Sequence, residues 1–282
     1  MSNIQENLFG LYEKALPKHL SWEERLAVSK DAGFDFVEIS IDETDERIGR
    51  LSWSKSERTR LMETIHRAGM PILTMCLSAN RRYPIGSEQE EIRSRGVQLI
   101  LNAVDFAVDC GIRVIQLAGY DEYANPSTEV TIRNFSDSLT LCARYAQEKA
   151  VMLAFETMEN DLMDSIQKAK EYVDSIRSPW LKIYPDLGNL CATGHDVESE
   201  FRYGMQDIVA IHLKDTLPGI VRDIAFGEGN VDFVSFFRLM ERERYSGLYV
   251  AEMWTDETNE SIRAAKEARA FLAEKLAYAR ER

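Results

Sequence analysis

Four short apolar runs in the second half of the chain each end in a side chain able to hold a metal. VMLAFE ends at Glu156, LKIYPD at Asp186, IVAIH at His212 and LYVAE at Glu252. Three carboxylates and an imidazole suit one divalent ion such as Zn2+, Mn2+, Co2+ or Mg2+, and the lack of thiolates argues against a structural zinc site. An ion bound by the oxygens of an α-hydroxyketone stabilises the enediolate formed when the adjacent carbon loses its proton, and glutamates beside that carbon can move the proton. Singly, a strand-end Glu or Asp is as readily a helix cap, and a strand His a hydrogen-bonded core residue. Together they are harder to dismiss, because acidic side chains are rarely buried unless paired or metal-bound.

Side chains so far apart in sequence converge only if regular elements present them on one face. Short β-type runs recur at NLFGLYE, FDFVEISI, PILTMCLS, RVIQLAG, VMLAFETM, LKIYPDLGN, IVAIHLKDT and LYVAEMW, separated by charged amphipathic segments. In one of these, Ile92, Leu99, Ala103, Phe106 and Cys110 recur at helical spacing. Gly33, Gly69, Gly111 and Gly247 precede strands, where a left-handed cap closing a helix is expected. Eight βα units most simply close into a (β/α)8 barrel, whose strand ends all open onto one catalytic face. An open doubly wound sheet needs a Gly-rich turn after its first strand, and YEKALPKHLSW cannot form one.

No linker, low-complexity tract or charge shift divides the 282 residues, so residues 1–282 read as one barrel domain. A net charge of −13 argues against general affinity for nucleic acid or anionic membrane. Cys76, Cys110, Cys142 and Cys191 include no C-x-x-C pair and are expected as free thiols. The opening MSNIQENLFG lacks a signal-peptide pattern and no run approaches the roughly 18 apolar residues of a membrane span, so a cytoplasmic protein is expected.

GLYEKALP at Gly10, GFDFVEISIDETDERIGRLSW at Gly33, CLSANRRYPIGS at Cys76, GIRVIQLAGYD at Gly111, YPDLGNL at Tyr184, HLKDTLPG at His212, FGEGNVDF at Phe226 and AEMW around Glu252 carry a resemblance over essentially the full length. The chain resembles the sugar-phosphate epimerase branch of the xylose-isomerase-like barrels, and most of all the L-ribulose-5-phosphate or L-xylulose-5-phosphate 3-epimerases of pentose and ascorbate catabolism. The resemblance implies an isomerase with one divalent metal on Glu156, Asp186, His212 and Glu252. It also implies that Glu156 and Glu252 work on opposite faces of the substrate, inverting C3 through a cis-enediolate. Two groups are needed because a single base on one face exchanges the proton without inversion. A homodimer is expected from the resemblance alone.

Ketose 3-epimerases of free sugars often carry histidine where this chain has Asn189, and a further acid near the strand-five Glu falls on Glu159 or Asp161. For a substrate phosphate the YEKALP turn is favoured, with Tyr12, Glu13 and Lys14, and with Ser78, Asn189 and Arg222 as further substrate or phosphate contacts. Arg81, Arg82 and Lys214 also follow strands as phosphate candidates, Glu228 is as readily a turn cap as a substrate contact, and Trp254 with Tyr12 offers an apolar wall. Aldose–ketose isomerisation, as by a hexulose-6-phosphate isomerase, is the chemical rival; a metal-independent binding protein would have no need of four ligands. Abasic-site nucleases of similar fold use several histidines in a metal cluster, whereas this chain has only His19, His66, His195 and His212.

Overall fold

In the computed structural model, which describes residues 7–254, 257–258 and 260–281, the eight expected runs are all strands. They are β1 Phe9–Tyr12, β2 Phe36–Ile41, β3 Ile72–Leu77, β4 Val114–Ala118, β5 Met152–Glu156, β6 Leu181–Ile183, β7 Ala210–Leu213 and β8 Leu248–Ala251. The helices are α1 Trp22–Asp31, α2 Asp45–Gly49, α3 Lys55–Ala68, α4 Glu90–Cys110, α5 Glu129–Lys149, α6 Ile166–Ile176, α7 Leu187–Ala192, α8 Val197–Gly204, α9 Phe233–Arg242 and α10 Glu260–Arg280. Every laddered strand pair is parallel, in the order β6-β5-β4-β3-β2-β1-β8-β7. The seam between β6 and β7 is closed by the bridges Ile183–Ile208 and Asp186–His212, with His212 N–H donating to the Pro185 carbonyl at 3.0 Å. Two of the four candidate ligands therefore face each other across the closure. This is a (β/α)8 barrel.

Both faces of the strands are buried, which is why the runs read as nearly continuous apolar stretches. Along β2, Val37, Ile39 and Ile41 join the large core between strands and helices, while Phe36 fills the bore with Cys76, Tyr184 and Val250. The bore is narrow at β1. A Cβ on Gly10 would lie 2.3 Å from the Phe36 ring, so this position takes no side chain.

Local signals set the helix limits. Ser21–Glu24 and Ser54–Glu57 form capping boxes at α1 and α3, and Gly33, Gly69 and Gly111 adopt left-handed backbone at φ 89°, 56° and 70°. Gly247 does not: after α9 it is Arg244 that turns left-handed at φ 55°. Gly247 is small for another reason, because a Cβ there would meet the Tyr245 hydroxyl at 2.2 Å. All four cysteines are free thiols, and among the described residues no helix is long and apolar enough to cross a membrane.

Candidate metal centre and active site

The four candidate ligands meet at the carboxyl ends of the last four strands. Glu156 is the final residue of β5, His212 lies within β7 and Glu252 follows β8 directly. Asp186 lies just beyond β6 as the N-cap of α7, where its Oδ1 accepts the Asn189 N–H at 2.6 Å. All four are buried, and one donor atom from each lies within 4.8 Å of the others.

His212 Nδ1 faces the carboxylates, at 3.3 Å from Glu156 Oε1, 3.7 Å from Glu252 Oε2 and 3.9 Å from Asp186 Oδ2. Its other nitrogen, Nε2, lies 2.6 Å from Glu38 Oε1, and Gln116 Nε2 approaches Nδ1 at 3.1 Å. The Lys214 ammonium sits among the acids, donating to Glu252 Oε2 at 2.9 Å and lying 3.2 Å from Asp186 Oδ2. Burial pushes the Asp186 carboxyl up to about 8; Lys214 opposes this and the Glu252 and Glu156 charges add to it. Burial also opposes ionisation of Glu252, but Lys214 and His212 prevail and hold it at about 2. For His212 burial disfavours the charged ring, yet Glu38 and Glu252 keep its pKa well above the usual histidine range.

These residues fit a divalent ion. Asp186 Oδ2 is buried without a hydrogen bond of good geometry, and the Lys214 ammonium 3.2 Å away is a charge partner only, so the oxygen is left open to a further ligand. Three carboxylates converge with Lys214 and His212 beside them, a surplus of negative charge that a small cation would complete. Oxygen and imidazole donors without thiolate suit ions of intermediate hardness.

The description "Xylose isomerase-like TIM barrel" matches residues 26–275. The L-ribulose-5-phosphate 3-epimerase UlaE of Escherichia coli (strain SE11) is 44% identical over 270 residues, covering 96% of this chain and 95% of its own. The chain belongs to the L-ribulose-5-phosphate 3-epimerase family of xylose isomerase-like barrels. SgbU of Escherichia coli (strain K12) is likewise 44% identical over 279 residues, 97% of this chain and 98% of its own. Among solved structures, an L-ribulose 3-epimerase superimposes with a TM-score of 0.79 at 19% identity, covering 98% of this chain and 96% of that one. That likeness concerns the fold alone.

Around the cluster, this member of the epimerase family departs from several sequence expectations. Glu13, expected at the substrate phosphate, is fully buried with both oxygens held by protein donors. Oε1 pairs with Arg25 at 3.2 Å, and Oε2 with Arg47 at 2.9 Å, Arg50 at 2.8 Å and the Ser40 N–H at 2.8 Å. Lys14 pairs with Asp42 at 2.7 Å but keeps partial exposure. Lys214, a phosphate candidate by sequence, turns into the acidic cluster instead. Arg82 points outward to Asp45. Asn189 donates to the Thr157 carbonyl at 2.8 Å, bracing the turn that carries Asp186.

Other expectations gather at the barrel mouth. Tyr12 packs edge-on to Trp254 at 6.5 Å between ring centroids, forming a wall beside His212, while Lys214 and Arg222 lie over the Trp254 ring at 5.5 and 5.2 Å. Ser78 is buried with its hydroxyl unpartnered. Arg81 stands over the Tyr120 and Tyr123 rings at 5.6 and 5.5 Å, has no carboxylate partner among the described residues, and leaves Nε without an acceptor. Glu159, Asp161 and Glu228 are all exposed, and Glu159 accepts from the Tyr120 hydroxyl at 3.2 Å. The loop holding Glu228 is pinned by Asp215, whose carboxylate accepts the N–H groups of Gly227, Gly229 and Val231.

Glu38 and Gln116 escaped the sequence reading. The alternation in FDFVEISI was the available signal for Glu38, since it places Phe36, Glu38 and Ser40 on one face of β2. An acid on the inward face of a strand buried on both sides needs a specific partner.

Proposed function

We propose that the chain is a metal-dependent isomerase that inverts C3 of a ketopentose 5-phosphate, interconverting L-xylulose 5-phosphate and L-ribulose 5-phosphate. The observation that carries this reading is the buried Glu156–Asp186–His212–Glu252 cluster at the mouth of a barrel sharing 44% of its sequence with UlaE. When bound, a divalent ion, Zn2+ or Mn2+ first and Co2+ or Mg2+ next, supplies positive charge beside the oxygens that become anionic as C3 loses its proton. Glu156 and Glu252 are the acid–base pair: one removes the C3 proton and the other delivers a proton to the opposite face. Lys214 holds Glu252 in one orientation through its 2.9 Å hydrogen bond. The Tyr12–Trp254 wall keeps water from the reacting carbon.

The phosphate is assigned to the rim formed by the turn after β1 and the loop after β3, strands with β2 between them, with Lys14, Ser78 and Arg81 as donors and Arg222 in the loop after β7. Arg81 and Ser78 support this by having polar atoms without protein partners. The chain acts as one barrel domain, as a homodimer in the cytoplasm. The test is to incubate metal-loaded protein with either ketopentose 5-phosphate and identify the sugars formed. A mixture of the two C3 epimers, abolished by a chelator and restored by metal, is expected. Formation of an aldose phosphate without the epimer would replace the epimerase by an aldose–ketose isomerase.

A further inference from the structure

β2 carries a carboxylate into the middle of a bore otherwise filled largely by apolar side chains. Glu38 is 0% exposed, and a carboxylate so placed persists only with donors on its oxygens. It has two. Tyr184 donates its hydroxyl to Oε2 at 2.8 Å, and His212 Nε2 stands 2.6 Å from Oε1. The second contact crosses the bore, because β8 and β1 lie between β7 and β2 in the sheet. Tyr184 also packs edge-on against the His212 ring, with centroids 4.9 Å apart, so the imidazole is held at its edge and across its face. A carboxylate without a proton can only accept. In the neutral ring, the form that can bind a metal, the shared proton therefore lies on Nε2 and the lone pair on Nδ1, the nitrogen that faces Glu156, Asp186 and Glu252 and that Gln116 Nε2 approaches at 3.1 Å.

We propose that Glu38, braced by Tyr184, is the positioning residue that commits His212 to binding a divalent ion through Nδ1. The proposal rests on the metal-dependent reading above and extends it to a residue on the far side of the barrel. Glu38 acts through His212: it fixes the tautomer and the ring angle. Without it the ring is free to tilt, and the tautomer bearing its proton on Nδ1 turns an N–H toward the ion. Removing such an outer partner lowers metal affinity by ~10–100-fold.

Zn2+ affinity measured by competition with a chromophoric chelator tests this on the full chain. Glu38→Gln keeps the volume but introduces an amide N–H2 that no longer enforces the tautomer, so affinity is expected to fall ~10-fold or more, with Glu38→Ala nearer ~100-fold. Tyr184→Phe should weaken binding less than either. Circular dichroism of the metal-free Glu38→Gln protein should match the parent. At saturating Zn2+ its turnover should recover, with an unchanged KM for the sugar phosphate, because a positioning residue touches no substrate. Parental Zn2+ affinity in Glu38→Gln would overturn the proposal while leaving the epimerase reading intact. Turnover that stays low in the saturated variant would also overturn it, by giving Glu38 a role beyond positioning. Absence of divalent-ion binding by the parent would overturn the metal-dependent reading and this proposal with it. Should Glu38→Ala fail to fold, Glu38→Gln alone decides.

Discussion

Asp186 divides its two oxygens between fold and chemistry: Oδ1 caps α7, and Oδ2 faces the cluster without a hydrogen-bond partner. Removing the side chain should therefore have two separable effects. Asp186→Ala is expected to lose bound metal and about 1 kcal/mol of stability with the cap, whereas His212→Ala should lose metal with no cap effect. Elemental analysis and urea denaturation separate the two, and full metal occupancy in both folded variants would remove these residues from the site. The glutamates make a sharper demand. Glu156→Gln and Glu252→Gln each remove one proton carrier, so epimerisation should fall by roughly 10²-fold or more. Deuterium wash-in from each epimer separately should reveal exchange without inversion in one variant; retained epimerase turnover in either metal-loaded variant would move the proton to another residue. All four members of the cluster were legible because each closes an apolar run. Glu38 was not, since its purpose becomes visible only once β7 lies across the bore, and neither was the burial of Glu13, whose arginines arrive from α1, α2 and the turn beyond.

At the scale of elements, charged contacts fix the turn after β1 against the end of β2. Glu13 gathers Arg25, Arg47 and Arg50, and beside it Lys14 reaches Asp42 just past the end of β2. Burial opposes the Asp42 charge, but Lys14 and Thr44 outweigh it and hold the carboxyl at about 2, below its ordinary 3.8. A carboxyl lowered on folding stabilises the protein fully above its unfolded value, and that contribution is lost as the pH falls from about 4 toward 2. Asp42→Asn should thus cost roughly 2 kcal/mol at neutral pH, a small fraction of that at pH 2 and nothing below it, flattening this part of the acid limb. Denaturation midpoints across that range measure it, and parallel curves for parent and variant would contradict the assignment. Element type was readable from the strand runs, from apolar residues at helical spacing and from Gly33, Gly69 and Gly111, which close helices as expected. Gly247 misled because a glycine before a strand also serves where a neighbouring ring, here Tyr245, leaves no room.

At the scale of the molecule, a chain of net charge −13 that takes an anionic substrate must concentrate its cations where the substrate enters. Lys14, Arg81 and Arg222, the cations proposed for this, follow β1, β3 and β7, and Arg81 lacks a carboxylate partner among the described residues. Phosphorylated pentulose should accordingly be preferred over the free sugar in kcat/KM, and the preference should shrink in Arg81→Ala, because a charge-assisted contact supplies binding energy the free sugar lacks. Equal efficiency on both sugars would remove the phosphate from the substrate. The eight-stranded architecture was plain in the repeated runs, whereas the pairing of Lys14 and Lys214 with acids depended on three-dimensional neighbours that spacing does not encode. The central claim is that C3 gives up its proton and receives another from the opposite side. Its most direct test is proton NMR of metal-loaded protein with L-ribulose 5-phosphate in D2O. The expected result is loss of the C3 proton signal together with appearance of L-xylulose 5-phosphate deuterated at C3; conversion with the original C3 proton retained, or exchange confined to C1, would contradict it.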